Sequence, residues 1–198
     1  MKGNEQPLLV VIAGPNGSGK STITKELAQE PDFPDIYINA DEIKINEGLS
    51  DTEAWEEAEW RRTGALSNRE SFAFETVFSH SSKIDLMKEA KEAGYWVRLY
   101  FVCLQDAEMN VQRVQKRHQS GGHDVPKDKI RSRYLRSMQM LSHALPVVDE
   151  AAVYNNSWES PALIARKTHD GKVQVYPLVE DNPESNWTKQ EIEKLLGI

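Results

Sequence analysis

A chain of 198 residues with 39% hydrophobic and 28% charged side chains has an ordinary globular composition and the length to bury a real core. Its net charge of −7 argues against a general nucleic-acid binder, which needs a basic surface. The single cysteine, Cys103, rules out an internal disulfide, and no apolar run approaches the ~20 residues of a membrane span. One cytoplasmic domain over residues 1–198 is therefore expected, without membrane or nucleic-acid partners.

Leu8 to Ala13 (LLVVIA) is an apolar run of strand length, and Thr22 to Gln29 (TITKELAQ) reads as a helix. Between them Gly14-Pro15-Asn16-Gly17-Ser18-Gly19-Lys20-Ser21 fits G-x-x-x-x-G-K-[ST], the phosphate-cradling P-loop, or Walker A motif. A strand-to-helix turn suits that task, because backbone N–H groups and the positive end of the helix dipole hold polyphosphate together. Lys20 offers a point charge to the β- and γ-phosphates, and the Ser21 hydroxyl is placed to ligate Mg²⁺. The stretch from Gly14 to Thr22 is thus the expected site for ATP or GTP.

After the break at Pro31-Asp32-Phe33-Pro34-Asp35, Ile36 to Asn39 reads as a second strand, ending in Asn39-Ala40-Asp41-Glu42. Strands alternating with helices imply crossover connections, a parallel sheet, and ligands beyond the strands' carboxyl ends. Asp41 is then expected on the same rim as the P-loop, as a candidate catalytic acid. It is also a candidate helix N-cap, and the two roles are compatible. From Asp51 to Arg69, Thr52 ahead of Glu53 and Trp55 suggests a helix start, with the acids on a solvated face and Trp55 and Trp60 in packing; a share of Trp60, Arg61 or Arg62 in the substrate pocket is the disfavoured alternative.

Phe72 to Phe78 reads as the third strand. Glu75 is its anomaly, because an unpaired acid costs several kcal/mol to bury. It either pairs with an arginine or, with Thr76 beside it, serves substrate binding or lies near the metal; the second reading is favoured. A helix from about Lys83 to Ala93 closes at Gly94, and Trp96 to Leu104 is nearly continuously apolar, as in a strand covered on both faces. Cys103 in that run is expected to be a buried structural thiol. Gln105 and then Asp106 follow where a second Mg²⁺ acid commonly stands. Asp106 reads better as a helix cap, which leaves Asp41 or Glu75 to contact the metal.

The stretch from Arg113 to Arg136 reverses the charge, with Arg113, Lys116, Arg117, Lys127, Lys129, Arg131, Arg133 and Arg136 against Asp124 and Asp128. Its centre, Gln119-Ser120-Gly121-Gly122-His123-Asp124-Val125-Pro126, reads as a loop between two helices. Such an element describes a lid, whose arginines stabilise charge spreading over a transferring phosphoryl group. Ala152 to Asn155 is a fifth strand. The polar Asn155-Asn156-Ser157 after it either reads a nucleotide base or is a simple turn. Ala162–Thr168 and Lys172–Leu178 flank Asp170-Gly171 and read as a hairpin that extends the sheet. Thr188 to Leu196 reads as a last helix.

With its P-loop, the Asn39-Ala40-Asp41 turn, the Phe74-Glu75-Thr76 strand and the Gly121-to-Pro126 lid loop, the chain from about Leu8 to Ser157 resembles the zeta toxin family of P-loop kinases. More narrowly it resembles the stand-alone bacterial zeta-toxin-like ATPases. The expected fold is α/β, a mostly parallel five-stranded sheet with helices on both faces, an arginine-rich helical lid and a C-terminal β-hairpin. The resemblance implies phosphorylation of a small-molecule hydroxyl with ATP or GTP and Mg²⁺, the family's toxins acting on the amino sugar of UDP-N-acetylglucosamine. It also implies an antitoxin protein as a possible partner. By position Lys20 matches the P-loop lysine, and Asp41 matches the acid that takes the hydroxyl proton. Asn39, Asp41, Glu75 and Thr76 fall on the acceptor side, while Arg117 and Arg131, or Arg133, match the lid arginines around the γ-phosphate. A second reading uses the same features, namely a nucleotide-gated switch whose closure recruits a partner without acceptor phosphorylation.

Overall fold

The computed structural model describes residues 6–119, 125–176 and 189–198. Strand β1 (Leu8–Ala13) is apolar at every position, which suits a strand with covered faces. Its neighbours are β3 (Phe72–Thr76) and β4 (Trp96–Cys103), both parallel to it. Outside these lie β2 (Ile36–Ile38) and β5 (Glu150–Asn155), also parallel. The antiparallel strands β6 (Ala162–Lys167) and β7 (Val173–Val175) extend the β5 edge, giving the order β2-β3-β1-β4-β5-β6-β7. The expected five parallel strands are therefore present, and the hairpin adds two more at one edge. Its turn carries Gly171 at φ 81°, a left-handed conformation. Residues 177 and 178 of the expected second hairpin strand, and Thr188 of the expected last helix, lie outside the described residues.

Helices α1 (Lys20–Leu27), α2 (Ala40–Glu47), α3 (Asp51–Ser67), α4 (Ser82–Glu92), α5 (Ala107–Gln119), α6 (Lys127–Ala144) and α7 (Lys189–Leu196) connect the parallel strands, singly after β1 and β3 and in pairs after β2 and β4, with α7 after β7. The larger core cluster gathers Leu9, Val11, Phe72, Phe74, Leu99 and Phe101 from the sheet with Ala58, Met87 and Leu141 from α3, α4 and α6. A smaller cluster around Val10, Ile12 and Ala73 is covered by Leu27, Phe33, Tyr37 and Tyr100. Helices α5 and α6 meet over their own cluster of Val111, Val114, Val125 and Ile130. The glycines and His123 of the expected lid loop lie outside the described residues.

Four local expectations are corrected. The cap of α2 is Asn39, whose side chain accepts from the Asp41 N–H, so Asp41 sits in the first turn with its carboxylate unspent on capping. Helix α3 starts earlier than Thr52, because Ser50 and Glu53 close a reciprocal capping box. Trp55 and Trp60 are 56% and 72% exposed, since α3 packs inward through Ala54, Ala58 and Ala65, whose small side chains allow close approach. Strand β3 also stops at Thr76, two residues short. Phe78 then turns the chain at φ 60°, a conformation a bulky residue adopts only where its surroundings hold it.

Candidate active site

Register decides what meets at the carboxyl rim. Ala13 lies opposite both Thr76 and Phe101, so the loop after β1 emerges beside the ends of β3 and β4. Gly14 donates its N–H to Thr76 O at 3.2 Å, and it runs so close to β4 that a Cβ there would stand 2.0 Å from Val102 O. Gly19, at φ 95°, begins α1 in a left-handed conformation, and a Cβ on it would meet Asn156 Nδ2 at 2.2 Å. These contacts come from outside the loop. Asn156 donates to Ser18 O at 2.8 Å, and the buried Asn110 of α5 donates to Asn16 O at 2.6 Å. The polar turn after β5 thus clamps the P-loop, and Asn155 is engaged with Ser157 through its Oδ1.

The loop borders a cleft of about 1060 Å³, lined on one side by Asn16, Gly17 and Gly19 to Thr22, and on the other by Asn39, Asp41, Glu75 and Thr76. Lys20 donates from Nζ to Gly14 O at 3.0 Å and Pro15 O at 3.1 Å. Burial holds its ammonium below the ordinary lysine pKa against the opposing charges of Glu75 and Asp41, with Arg117 adding to the lowering. Asp41 is exposed at the cleft, and its charge acts on both Lys20 and Arg133.

Among the described residues, no arginine hydrogen-bonds to Glu75. Ser21 Oγ donates to its Oε2 at 3.1 Å, while Thr24 Oγ1 and Tyr37 OH donate to its Oε1 at 2.6 and 2.8 Å. Tyr37 OH accepts in turn from Asn39 Nδ2 at 2.9 Å, so one chain of bonds runs from the P-loop serine to the cap that seats Asp41. Burial and the Glu75 charge raise the Tyr37 pKa, which keeps its phenol a donor. A serine hydroxyl beside a carboxylate is a hard-oxygen pair, the chemistry Mg²⁺ takes when phosphates and water complete its shell.

The two lid helices bring arginines to the same cleft, though not all of those expected. Arg117 and Arg133 line it, and Arg133 NH1 donates to Asn16 Oδ1 at 3.3 Å. Burial lowers the Arg133 pKa, with Arg136 contributing and Asp41 opposing. Arg131 stands elsewhere: it is bound to Glu108 at 2.6 and 3.0 Å and to Asp128 at 3.0 Å, on the outer surface. Residues two positions apart on a helix point about 200° apart around its axis, and the inward stripe of Ile130, Tyr134, Ser137 and Leu141 carries Arg133 with it and leaves Arg131 outside. Tyr134 and Ser137 pin that stripe, donating to Leu104 O at 3.0 Å and Val77 O at 2.9 Å. Asp106, as expected, accepts from Met109 N at 2.9 Å at the start of α5.

Other neighbours of the cleft include two residues the sequence already offered, Arg113 among the lid arginines and Arg62 as a disfavoured pocket candidate, and others it gave no such role. Arg113 donates to Asn156 O at 2.7 Å and lines the nucleotide side. Trp55, Arg62, His80 and Lys83 line the opposite end. Cys103 is buried with its pKa pushed up to about 12 by desolvation, consistent with a structural thiol. Among the described residues, no helix is long and apolar enough to cross a membrane.

Residues 1–176 match the family model described as Zeta toxin. An uncharacterized protein of Haemophilus influenzae is 33% identical over 130 residues, 63% of this chain and 91% of its own length. The AvrRxo1-ORF1:AvrRxo1-ORF2 crystal structure with sulphate ions contains a chain of similar fold, with TM-score 0.69 and 17% identity, covering 98% of this chain and 64% of that one. The same complex with ATP aligns at TM-score 0.65 and 18% identity over 87% of this chain and 61% of that one. The PezAT chromosomal toxin-antitoxin system of Streptococcus pneumoniae aligns at TM-score 0.63 and 16% identity, over 99% of this chain and 85% of that one. This chain thus spans a little under two thirds of the AvrRxo1 chain.

Proposed function

The chain belongs to the zeta toxin family of nucleotide-dependent phosphotransferases, and from that premise we propose that it moves the γ-phosphoryl group of ATP or GTP onto an alcohol of a small molecule. The proposed acceptor is a nucleotide-sugar such as UDP-N-acetylglucosamine. The observation that supports this best is the convergence of Lys20, Ser21, Asp41, Arg117 and Arg133 on one cleft.

In the proposed reaction the acceptor oxygen bonds to the γ-phosphorus as the bond from that phosphorus to the β,γ-bridging oxygen breaks. The nucleoside diphosphate leaves, and the hydroxyl proton passes to the Asp41 carboxylate. Asn39 holds Asp41 in place through its backbone N–H. Lys20, Arg117 and Arg133 face the charge that spreads over the equatorial oxygens. Ser21, with Glu75 directly or through water, would hold Mg²⁺, which when bound neutralises charge on the β- and γ-phosphates. Thr76 accepts from Phe78 N at 3.1 Å and so shapes the acceptor wall. We propose the cytoplasm as the location and an antitoxin protein as a partner, supported by the toxin-antitoxin system in which one structural relative occurs.

Incubation with γ-labelled ATP or GTP, Mg²⁺ and UDP-N-acetylglucosamine, and in parallel with a small-molecule extract, tests this. A labelled acceptor is expected. Labelled inorganic phosphate as the sole product in every mixture would sink the proposal and leave the nucleotide-gated switch.

A further inference from the structure

The hydrogen bonds behind the cleft wall run in one direction, because their members differ in what they can donate. A carboxylate only accepts, so the single phenolic proton of Tyr37 goes to Glu75 Oε1, at 2.8 Å. The phenol oxygen is left to accept, and it takes Asn39 Nδ2 at 2.9 Å. That choice decides which way the Asn39 amide faces. With its NH₂ group committed to Tyr37, Oδ1 points to the Asp41 N–H at 3.0 Å and caps α2. The reversed amide would set donor against donor at both contacts, and Asn39 is buried, so water is a poor substitute there.

Register puts the phenol in reach of both partners. Tyr37 lies opposite Ala73 in β3, so it shares a sheet face with Glu75, which stands one pleat nearer the carboxyl rim. The Phe33 ring packs against it, with centroids 6.4 Å apart. Tyr37 itself is not among the residues that line the cleft. On the far side of the carboxylate, Thr24 of α1 donates to the same Oε1 at 2.6 Å. Two donors thus pin Oε1, and Oε2 is left turned to the Ser21 hydroxyl at 3.1 Å, on the side where the cation would sit. Bonds that all point the same way along such a chain reinforce one another.

Resting on the kinase reading of the cleft, we infer that Tyr37 is a positioning residue that couples the cation site to the base. Its proton aims Glu75 Oε2 at the place shared with Ser21, and its lone pair orients Asn39 and, through the α2 cap, Asp41. A cation that fixes Glu75 thereby stiffens the seat of Asp41, so the base is set most firmly when the nucleotide has arrived with its metal.

The first experiment needs no acceptor: a non-hydrolysable ATP analogue is titrated into the full chain with and without Mg²⁺. The factor by which Mg²⁺ tightens its binding is expected to fall about tenfold in Tyr37→Phe, with the metal-free affinity unchanged. An undiminished Mg²⁺ factor would overturn the coupling. The second experiment follows solvent exchange of the Asp41 backbone amide by NMR in the metal-free chain. Tyr37→Phe is expected to speed it as Asn39→Ala does, with the amides of β2 unchanged. A merely structural phenol would loosen β2 instead, and that result, or an unaltered Asp41 amide, would overturn the inference. The third is a double-mutant cycle at saturating Mg²⁺ with UDP-N-acetylglucosamine as acceptor. Tyr37→Phe should lower kcat about tenfold or more with the KM for ATP unchanged, but by about threefold at most once Asp41→Asn has removed the carboxylate it positions. Equal costs in the two backgrounds would overturn it. The expected results in the first two experiments without transfer to any acceptor would keep the coupling and overturn only the kinase reading.

Discussion

The two ends of the cleft are built in opposite ways. At the nucleotide end the backbone does the positioning: Gly14 runs against β4, Gly19 opens α1, and Asn156 and Asn110 hold the loop by its carbonyls. At the acceptor end side chains from separate elements do it, with Tyr37, Asn39 and Glu75 joined in one bond chain and Arg62, Glu59 and Lys83 in another. A backbone cradle tolerates few sequences but suits any nucleoside triphosphate. A side-chain wall can be rewritten residue by residue, so the second end is where a family of one fold would diversify its acceptors.

The sharpest way to break this comparison is at the arginines proposed to face the γ-phosphate, Arg117 and Arg133, which line the cleft. Arg133→Ala should lower kcat by about 10³-fold or more, the range of an arginine acting on a transferring phosphoryl group. Steady-state kinetics at saturating ATP would show it, and an unchanged kcat would remove Arg133 from the reaction. Asp41→Asn belongs to the acceptor side and should cost about 10²–10⁴-fold in kcat, with ATP affinity held within a few-fold. Loss of nucleotide affinity in parallel would mean that the two ends are not separable.

Backbone dependence is testable by stability. Gly19→Ala meets both the left-handed φ of 95° and the Asn156 amide, whereas a Cβ on Gly48, at φ 69° in the cap of α2, would have nothing within 4 Å. Left-handed strain costs roughly 1–2 kcal/mol and a displaced hydrogen bond about 1 kcal/mol more, so Gly19→Ala should destabilise by about 2 kcal/mol or more and Gly48→Ala by about 1. Equal losses in chemical denaturation would show that Asn156 yields freely. On the other side, Tyr37→Phe removes a donor to Glu75 and an acceptor for Asn39, and about 1 kcal/mol of stability should go with it. A wild-type denaturation midpoint would mean that water replaces the phenol in full.

What could be read from the chain follows the same division. The P-loop is legible because its glycines, Lys20 and Ser21 answer to local geometry, and β1 and β4 because buried parallel strands are apolar throughout. The placement of Asp41 on the rim follows from strand alternation, a rule of topology. Trp55 and Trp60 misled because a large apolar side chain suggests a core, whereas the alanines of α3 set how closely it packs. Tyr37 and Lys83 left no local signal, since their partners lie 38 and 24 residues away and become neighbours only in the fold, whereas Arg62, with Glu59 three residues before it on α3, is already a weaker pocket candidate in the sequence. Arg131 and Arg133 were separable in principle, had the stripe of Ile130, Tyr134, Ser137 and Leu141 been used to orient α6.

That pair supplies the smallest expected effect and the cleanest control. Arg131 and Arg133 share a helix, a charge and nearly a position, so any general role of lid charge in drawing in ATP would touch both. Arg131 is 42% exposed and spends its guanidinium on Glu108 and Asp128, which are 58% and 99% exposed. Exposed pairs of this kind are screened by solvent and contribute little to stability, the bidentate contact to Glu108 included. Arg131→Ala should therefore shift the denaturation midpoint slightly and leave kcat within about twofold. A loss in kcat approaching that of Arg133→Ala would mean that α6 turns during the reaction to exchange one arginine for the other, and the rigid inward stripe that separates them here would have to give way.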